Sequence, residues 1–394
     1  VSADEAARAR GFADAQSYRE FWIAAAASLL FSITTCHSAL VAIALQHTGY
    51  DLHAIGILIG ITAAPVLLVT VFSGVITARL GALGALRLAM VLLAIGVGSL
   101  AFTRLNFWTA LTSRLVWGVG VGLFLSPLMV YVQSRLTPLR FVYLVAAFSA
   151  TVPLALAIAP PIGEVILDHF GETAMFLTGA IPAAIAAALT LLLRPLARPE
   201  HKGGGSLIKA ARSWHLLPVA GLLIGGAHYG YTSAYLAPAL REWGTALGWF
   251  FVPMTIAMIF SRIGAMRRLS ALPPRLLASA GLIGSSLALI VCAYQRGPLF
   301  AAMAGIMLGI GNSMMYPVIS AWLGRGAGPA DRPGVQALAS TGFYAGVYLT
   351  PWPETYLIAA GGYSFAQIFM GLVGIMFGIA IFLSPRLRAQ EREL

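Results

Sequence analysis

The sequence predicts an all-α polytopic membrane protein: twelve transmembrane helices in two pseudo-symmetric six-helix halves, with both termini cytoplasmic. Three observations carry this. Of 394 residues, 59% are hydrophobic and only 10% charged, with a mean hydropathy of +0.84, whereas a soluble domain carries about a quarter charged residues. Apolar runs of roughly 20 residues, enough to cross a bilayer core, recur along the whole chain. Lys and Arg fall almost entirely on alternate connections. The composition excludes soluble globular, collagen-like and disordered chains. Forty-two glycines and 21 prolines suit membrane helices, where neighbouring segments satisfy freed backbone groups.

Taken in order, residues 1–20 form a cytoplasmic lead-in, read as a surface amphipathic or disordered segment with Asp4, Glu5, Arg8, Arg10 and Arg19. Six apolar spans follow at 21–46, 52–78, 84–102, 107–134, 140–166 and 173–193, making an N-terminal bundle over 21–193. Residues 194–213, containing RPLARPEHKGGGS, are the one long polar, Gly/Pro-rich connection and the cytoplasmic linker between halves. Spans at 214–238, 246–266, 275–295, 298–323, 334–358 and 362–384 make the C-terminal bundle, 214–384, and 385–394 is a cytoplasmic tail.

Of the 25 Lys and Arg, all but Arg104, Arg241, Arg296 and Arg114 lie on the lead-in, the even-to-odd connections or the span ends that meet them, the linker or the tail. Basic residues concentrate on cytoplasmic loops, so the net charge of +11 reports orientation, and no nucleic-acid partner is expected. Cys36 and Cys292 sit far apart in apolar segments, which argues against a disulfide framework or a zinc site. No metal or other cofactor is expected. Sliding the chain by about 190 residues places Trp117-Gly118-Val119-Gly120 over Leu308-Gly309-Ile310-Gly311, Thr151 over Thr341, Pro161 over Pro351 and Glu164 over Glu354. Duplicated bundles place a substrate site between repeats near the bilayer midplane.

Several motifs carry a family resemblance. After the second span stands Gly74-Val-Ile-Thr-Ala78-Arg79-Leu-Gly81, with Arg87 downstream. The fourth span holds Arg114-Leu-Val-Trp117-Gly118-Val-Gly120, and the fifth Ala159-Pro160-Pro161-Ile162-Gly163-Glu164, followed by Leu167-Asp168-His169-Phe170-Gly171. Ser261-Arg262-Ile-Gly264 through Arg267-Arg268 reads as a degenerate second copy of the first motif; Gly309-Ile-Gly311, Tyr316-Pro317 and Asp331-Arg332-Pro-Gly334 follow. Together these resemble the major facilitator superfamily, and among its members bacterial efflux permeases. In the family the first motif is a conformational element, here Gly74, Arg79 and Gly81. Its acidic residue, which helps latch the cytoplasmic side, is replaced by Ala78. The fifth-span pattern matches only partly the Gly-Pro pattern of exporters.

A charged side chain at the bilayer centre costs roughly 2.5–3.5 kcal/mol on insertion scales, which makes Arg114, Glu164, Arg262 and Glu354 functional candidates. Arg114 either holds an anionic substrate or donates to helix carbonyls. Glu164 and Glu354, paired by the repeat, suit proton coupling or gating; the alternative is two interfacial carboxylates facing water. Arg262 either contributes to an inner gate or snorkels. His228, Tyr231, Thr232 and Tyr235 fall at i, i+3, i+4 and i+7, one stripe of a helix, and Thr34 and Ser38 flank His37. The resemblance implies that these spans line the substrate cavity; the alternative for each histidine is an interhelical hydrogen bond. Asn312 and Tyr316, with Ser340, Tyr344, Tyr348 and Trp352, make an aromatic, hydrogen-bonding wall. Trp117 either stacks on Arg114 or fills core.

The resulting expectation is a non-enzymatic secondary active transporter that moves a small amphipathic or polar organic molecule by alternating access across a bacterial cytoplasmic (inner) membrane, by proton-coupled export, as a monomer. The alternatives are proton symport, uniport or import of a small metabolite or siderophore, and then a lipid flippase or scaffold. HExxH, GxSxG and phosphate-binding loop motifs are absent from the sequence, which disfavours a membrane enzyme or an ATP-driven pump.

Overall fold

The computed structural model describes residues 3–102, 106–136, 144, 148, 150–196, 216–265, 272–294, 297–325 and 332–393. Most of the linker, the start of the fifth span, and Arg104, Arg267, Arg268, Arg296 and Asp331 lie outside the described residues. The helices are α1 (Ala3–Ala9), α2 (Ala15–Cys36), α3 (Ser38–His47), α4 (Leu52–Gly60), α5 (Ala63–Ser99), α6 (Phe107–Gln133), α7 (Thr151–Leu189), α8 (Leu216–Ala234), α9 (Leu236–Glu242), α10 (Gly248–Phe260), α11 (Pro274–Tyr294), α12 (Pro298–Arg325), α13 (Arg332–Leu349), α14 (Pro351–Leu383) and α15 (Pro385–Glu393). Eight stretches among the described residues are long and apolar enough to cross a membrane.

Some of these helices contain a reversal. At 1.5 Å per residue α7 would be about 60 Å long, twice the roughly 30 Å hydrocarbon core. It breaks at Gly171 (φ 78°, ψ 180°), α14 at Gly362 (φ 75°, ψ −178°), and α5 at Gly81 (φ 74°, ψ 159°). That region of backbone space is essentially open to glycine alone. Gly171 and Gly362 hold matching places in the internal repeat, so the duplication preserves a backbone state as well as side chains.

The chain divides into two compact units. Unit 1 is Val1–Ser38 with Ala64–His201, and unit 2 is Ala39–Ala63 with Lys202–Leu394. The division thus departs from a single cut in the linker, because the hairpin of α3 and α4 belongs to the second unit. There Gln46 Nε2 donates to the Tyr363 hydroxyl at 3.0 Å. Gly56 and Gly60, one turn apart on α4, lie against Thr355 and Trp352 of α14, and His53 meets the Tyr356 ring edge-on. Without side chains at the two glycines, the helices approach to backbone distance.

The lead-in is folded onto unit 1. Asp4 accepts from the backbone N–H of Ala15, and Phe12 is buried against Tyr18 and Phe21. Asp14 caps α2 by accepting from Ser17 N–H, the main cause that holds its carboxyl below the ordinary carboxylate range.

Glycine also sets the packing inside each unit. A Cβ on Gly120 would lie 2.8 Å from Ala89 O and Leu93 N, and one on Gly96 2.7 Å from Trp117 N. In unit 2 a Cβ on Gly311 would lie 2.5 Å from Gly281 O, and Gly226 and Gly346 join α8 to α13 in the same way. Gly120→Leu therefore forces helices apart and lowers the apparent melting temperature of the purified protein by several degrees, an overpacking cost of about 1–3 kcal/mol. Gly284→Ala, which meets nothing within 4 Å, leaves it unchanged or raises it; equal melting temperatures for wild type and Gly120→Leu contradict this packing.

Candidate functional site

Unit 2 gathers most of the sequence-predicted polar side chains, and packs several of them inward. His228 is fully buried; its Nε2–H donates to Met370 O at 3.2 Å, and Nδ1 lies 3.1 Å from Ser285 Oγ. Gly374 leaves room for the ring. The imidazole is thereby fixed between α11 and α14. Tyr231 donates to Tyr363 O at 3.3 Å, Tyr235 to Pro351 O at 2.8 Å, and Thr232 to His228 O of its own helix at 2.7 Å. The stripe does share one face, as its spacing requires, and that face packs on other helices of unit 2.

Against this stripe lies Glu354, 1% exposed, with the Thr350 hydroxyl one turn before it within reach. It faces Tyr231 and Tyr235. Gln367, 0% exposed, is likewise buried, and its amide reaches the side chains of Tyr231 and Cys292. Between Glu354 and Gln367 lies the Gly361–Gly362 break. It turns the chain back, so residues seven before and five after it come to similar depth. Gln367 is a residue that reasoning from sequence missed; a lone amide in the apolar run Tyr363–Gly374 is the signal that marks it.

Another face of unit 2 is aromatic. Tyr316 Oη and Ser340 Oγ lie 2.8 Å apart, and ring centroids connect Tyr316 to Phe343 at 5.4 Å, Phe343 to Tyr344 at 6.0 Å and Tyr344 to Tyr348 at 6.2 Å. Tyr229 adds a further ring 6.2 Å from Phe343. These rings and Asn312 are half-buried within the chain. Tyr229 and Phe343 were absent from the sequence-based wall because they interrupt its four-residue interval. Arg262 lies in a π-helical turn, Ser261–Ala265, within electrostatic reach of Tyr229; such turns gather at functional places. Trp352 is exposed on the chain's surface.

In unit 1 the Arg114 guanidinium lies 4.3 Å above the Trp117 ring, and both residues are buried. Desolvated cation–π pairs of this kind are worth about 2 kcal/mol. Thr34 Oγ1 accepts from Ala183 N–H at 3.0 Å, and His37 Nδ1 donates to Ile33 O at 2.9 Å, its ring lying against Gly179. Both side chains turn toward α7, while Ser38 is half-buried at the start of α3. Glu164 is half-buried, unlike its repeat partner Glu354. Gly74 lies within α5, Arg79 is exposed, and Gly81 forms the break.

Unit 1 also holds an ionic hub that reading the sequence overlooked. Glu20, fully buried, pairs with Arg135 at 2.9 Å and Arg194 at 2.7 Å, and accepts from Tyr131 Oη at 3.1 Å. The bond to Glu20 raises the Arg194 pKa further. Each member stands at the end of an apolar run, where it reads as an orientation charge. Breaking a buried pair costs about 3–5 kcal/mol, so Glu20→Ala strongly lowers the melting temperature in detergent. Arg194→Ala, at the half-exposed partner, lowers it less; equal effects, or none, rule out the hub as a clamp.

The profile of the Major Facilitator Superfamily matches residues 22–295. A comparison with curated proteins gives no match. Among solved structures, a D-xylose-proton symporter superposes with a TM-score of 0.74 at 16% identity, covering 93% of this chain and 98% of that one. The nucleoside transporter NupG gives 0.74 at 13%, covering 92% and 98%. A POT family transporter in complex with 5-aminolevulinic acid gives 0.74 at 16%, covering 94% and 96%.

Proposed function

Because the chain belongs to the major facilitator superfamily, we propose that it is a secondary active transporter that exports a small amphipathic organic molecule in exchange for protons. That it is a membrane transporter rather than an enzyme follows from family and fold. The finer reading is ours: twelve spans with cytoplasmic termini, a monomer in a bacterial inner membrane, and alternating access by rocking of the two six-helix halves.

The observation that carries proton coupling is Glu354. A carboxylate sealed inside unit 2 near Tyr231 and Tyr235 carries a large desolvation penalty when ionised. It is accommodated neutral while buried and releases its proton when a conformational change wets it, which ties ionisation to the exchange between states. Glu164, Arg262 and His37 are secondary candidates for gating. Substrate recognition is assigned to Tyr316, Tyr344, Tyr348 and Asn312, joined by Tyr229 and Phe343, because rings and hydroxyls on one half-buried face suit a ligand with apolar surface and polar groups. Arg114 with Trp117 is the corresponding candidate in unit 1. Export is favoured by the paired prolines Pro160 and Pro161 ahead of Glu164, a partial form of the exporter pattern. Uptake by symport is the second reading, suggested by the likeness to the D-xylose-proton symporter.

A ligand found by thermal-shift screening, which reports any molecule that selects the folded state, opens the decisive experiment in proteoliposomes. An imposed pH gradient drives its flux in the wild type. Glu354→Gln loses gradient-driven flux while retaining substrate exchange at equal pH; unaltered gradient-driven flux overturns the assignment. Tyr344→Ala weakens binding roughly tenfold, equivalent to about 1.4 kcal/mol, and an unchanged affinity removes the aromatic wall from the substrate site.

A further inference from the structure

We infer that α15, at the end of unit 2, is a membrane-surface site for an anionic phospholipid: Arg388 and Arg392 hold the headgroup phosphate, with Arg386 on the other flank of the same helix. None of these residues belongs to the aromatic wall or to the surroundings of Glu354, so the inference goes beyond the transport reading and does not depend on it.

The depth of α15 follows from where the apolar surface stops. Leu372, Met376, Ile379 and Leu383 are exposed along α14, and their spacing of four, three and four residues makes one stripe, facing lipid. The stripe ends at Leu383. Ser384 then leaves helical conformation (φ −57°, ψ 115°), and its Oγ accepts from the Leu387 N–H at 3.4 Å, so a new helix begins at Pro385. Leu272 and Leu276, exposed beside Arg275, carry the apolar surface to the start of α11. The headgroup layer outside the hydrocarbon is roughly 5–8 Å thick on each side. Arg386 follows Leu383 by about 5 Å of helix, which sets α15 in that layer.

The helix is also laid across the end of the bundle. On a straight helix Phe382 and Glu391 would stand about 14 Å apart, yet both meet Arg275. Its guanidinium donates to Phe382 O and lies 5.1 Å over the Phe382 ring, while its backbone N–H and Nε donate to Glu391 at 2.7 and 3.2 Å. Leu387, 1% exposed, enters the apolar core of the unit with Leu277, Trp322 and Ile381. With Leu387 and Glu391 turned inward, Arg388 and Arg392 share one outer flank, one turn apart, and both are exposed, as is Arg386. Glu391 is committed to Arg275, which leaves three arginines on α15 against Glu393. Guanidiniums suit phosphate because they offer parallel N–H donors to its oxygens. A free anion would meet only these exposed charges, weakened by salt. A lipid adds contact of its acyl chains with the stripe that ends at Leu383, and this continuity favours the lipid.

The test uses the full chain in nanodiscs of phosphatidylcholine with an increasing share of phosphatidylglycerol. The apparent melting temperature rises by several degrees and saturates, because a ligand that selects the folded state stabilises it. Arg388→Gln combined with Arg392→Gln cuts the rise roughly threefold or more. Arg10→Gln combined with Arg19→Gln, the same loss of charge from exposed arginines of unit 1, leaves it unchanged. An equal fall in both pairs reports diffuse attraction to the surface and overturns the site, as does a wild type that does not respond to phosphatidylglycerol. Inorganic phosphate that produces the same rise in pure phosphatidylcholine discs overturns the lipid as occupant. If the Arg388, Arg392 variant does not fold, the wild type decides: high salt, which screens exposed charges, removes the rise, and a rise that persists in salt overturns the inference.

Discussion

A polar group that enters hydrocarbon must find its partner inside the protein, because no water is there to serve it. The rest of the structure follows from that constraint. Backbone groups meet it by helix formation, so each unit is a bundle of helices. Side chains meet it only where helices come very close, and closeness is supplied by glycine: Gly374 admits the His228 ring, Gly179 that of His37, and Gly56 and Gly60 seat the hairpin. His228, Thr34, Tyr231 and Tyr235 all reach defined partners this way. Glu354 and Gln367 are buried in the same unit, where each has to be served by neighbouring side chains.

The fold class was legible in the sequence because hydrophobic run length is a local signal that tertiary packing seldom overrides. The site was legible in kind but not in direction. Spacing put His228, Tyr231, Thr232 and Tyr235 on one stripe, and that stripe exists, yet periodicity says nothing of which neighbour a stripe faces. It packs on α11 and α14. Glu354 stood out as an acid in an apolar run, whereas Gln367 carries no charge and escaped notice. Glu20 escaped for another reason. It lies at the membrane end of its helix, and its partners Arg135 and Arg194 are 115 and 174 positions away, so no local pattern joins them.

The internal repeat constrains the two units unequally. Backbone breaks persist at Gly171 and Gly362, and close-packing glycines at Gly120 and Gly311. The chemistry has diverged: Glu164 is half-buried while Glu354 is sealed, and Arg114 stacks on Trp117 in unit 1, where unit 2 presents a ladder of tyrosines. Unit 1 carries in addition the staple of Glu20 to Arg135 and Arg194.

That staple sets a schedule for biogenesis. The first membrane helix contributes Glu20, but Arg194 lies 174 residues later. At about 5–20 residues per second, translation takes roughly 10–35 s to deliver it. For the first part of that interval, until Arg135 arrives, the carboxylate has no arginine partner from this hub. Tyr131 and Arg135 supply the first partners, and the staple closes fully only once Arg194 has emerged behind the last span of unit 1.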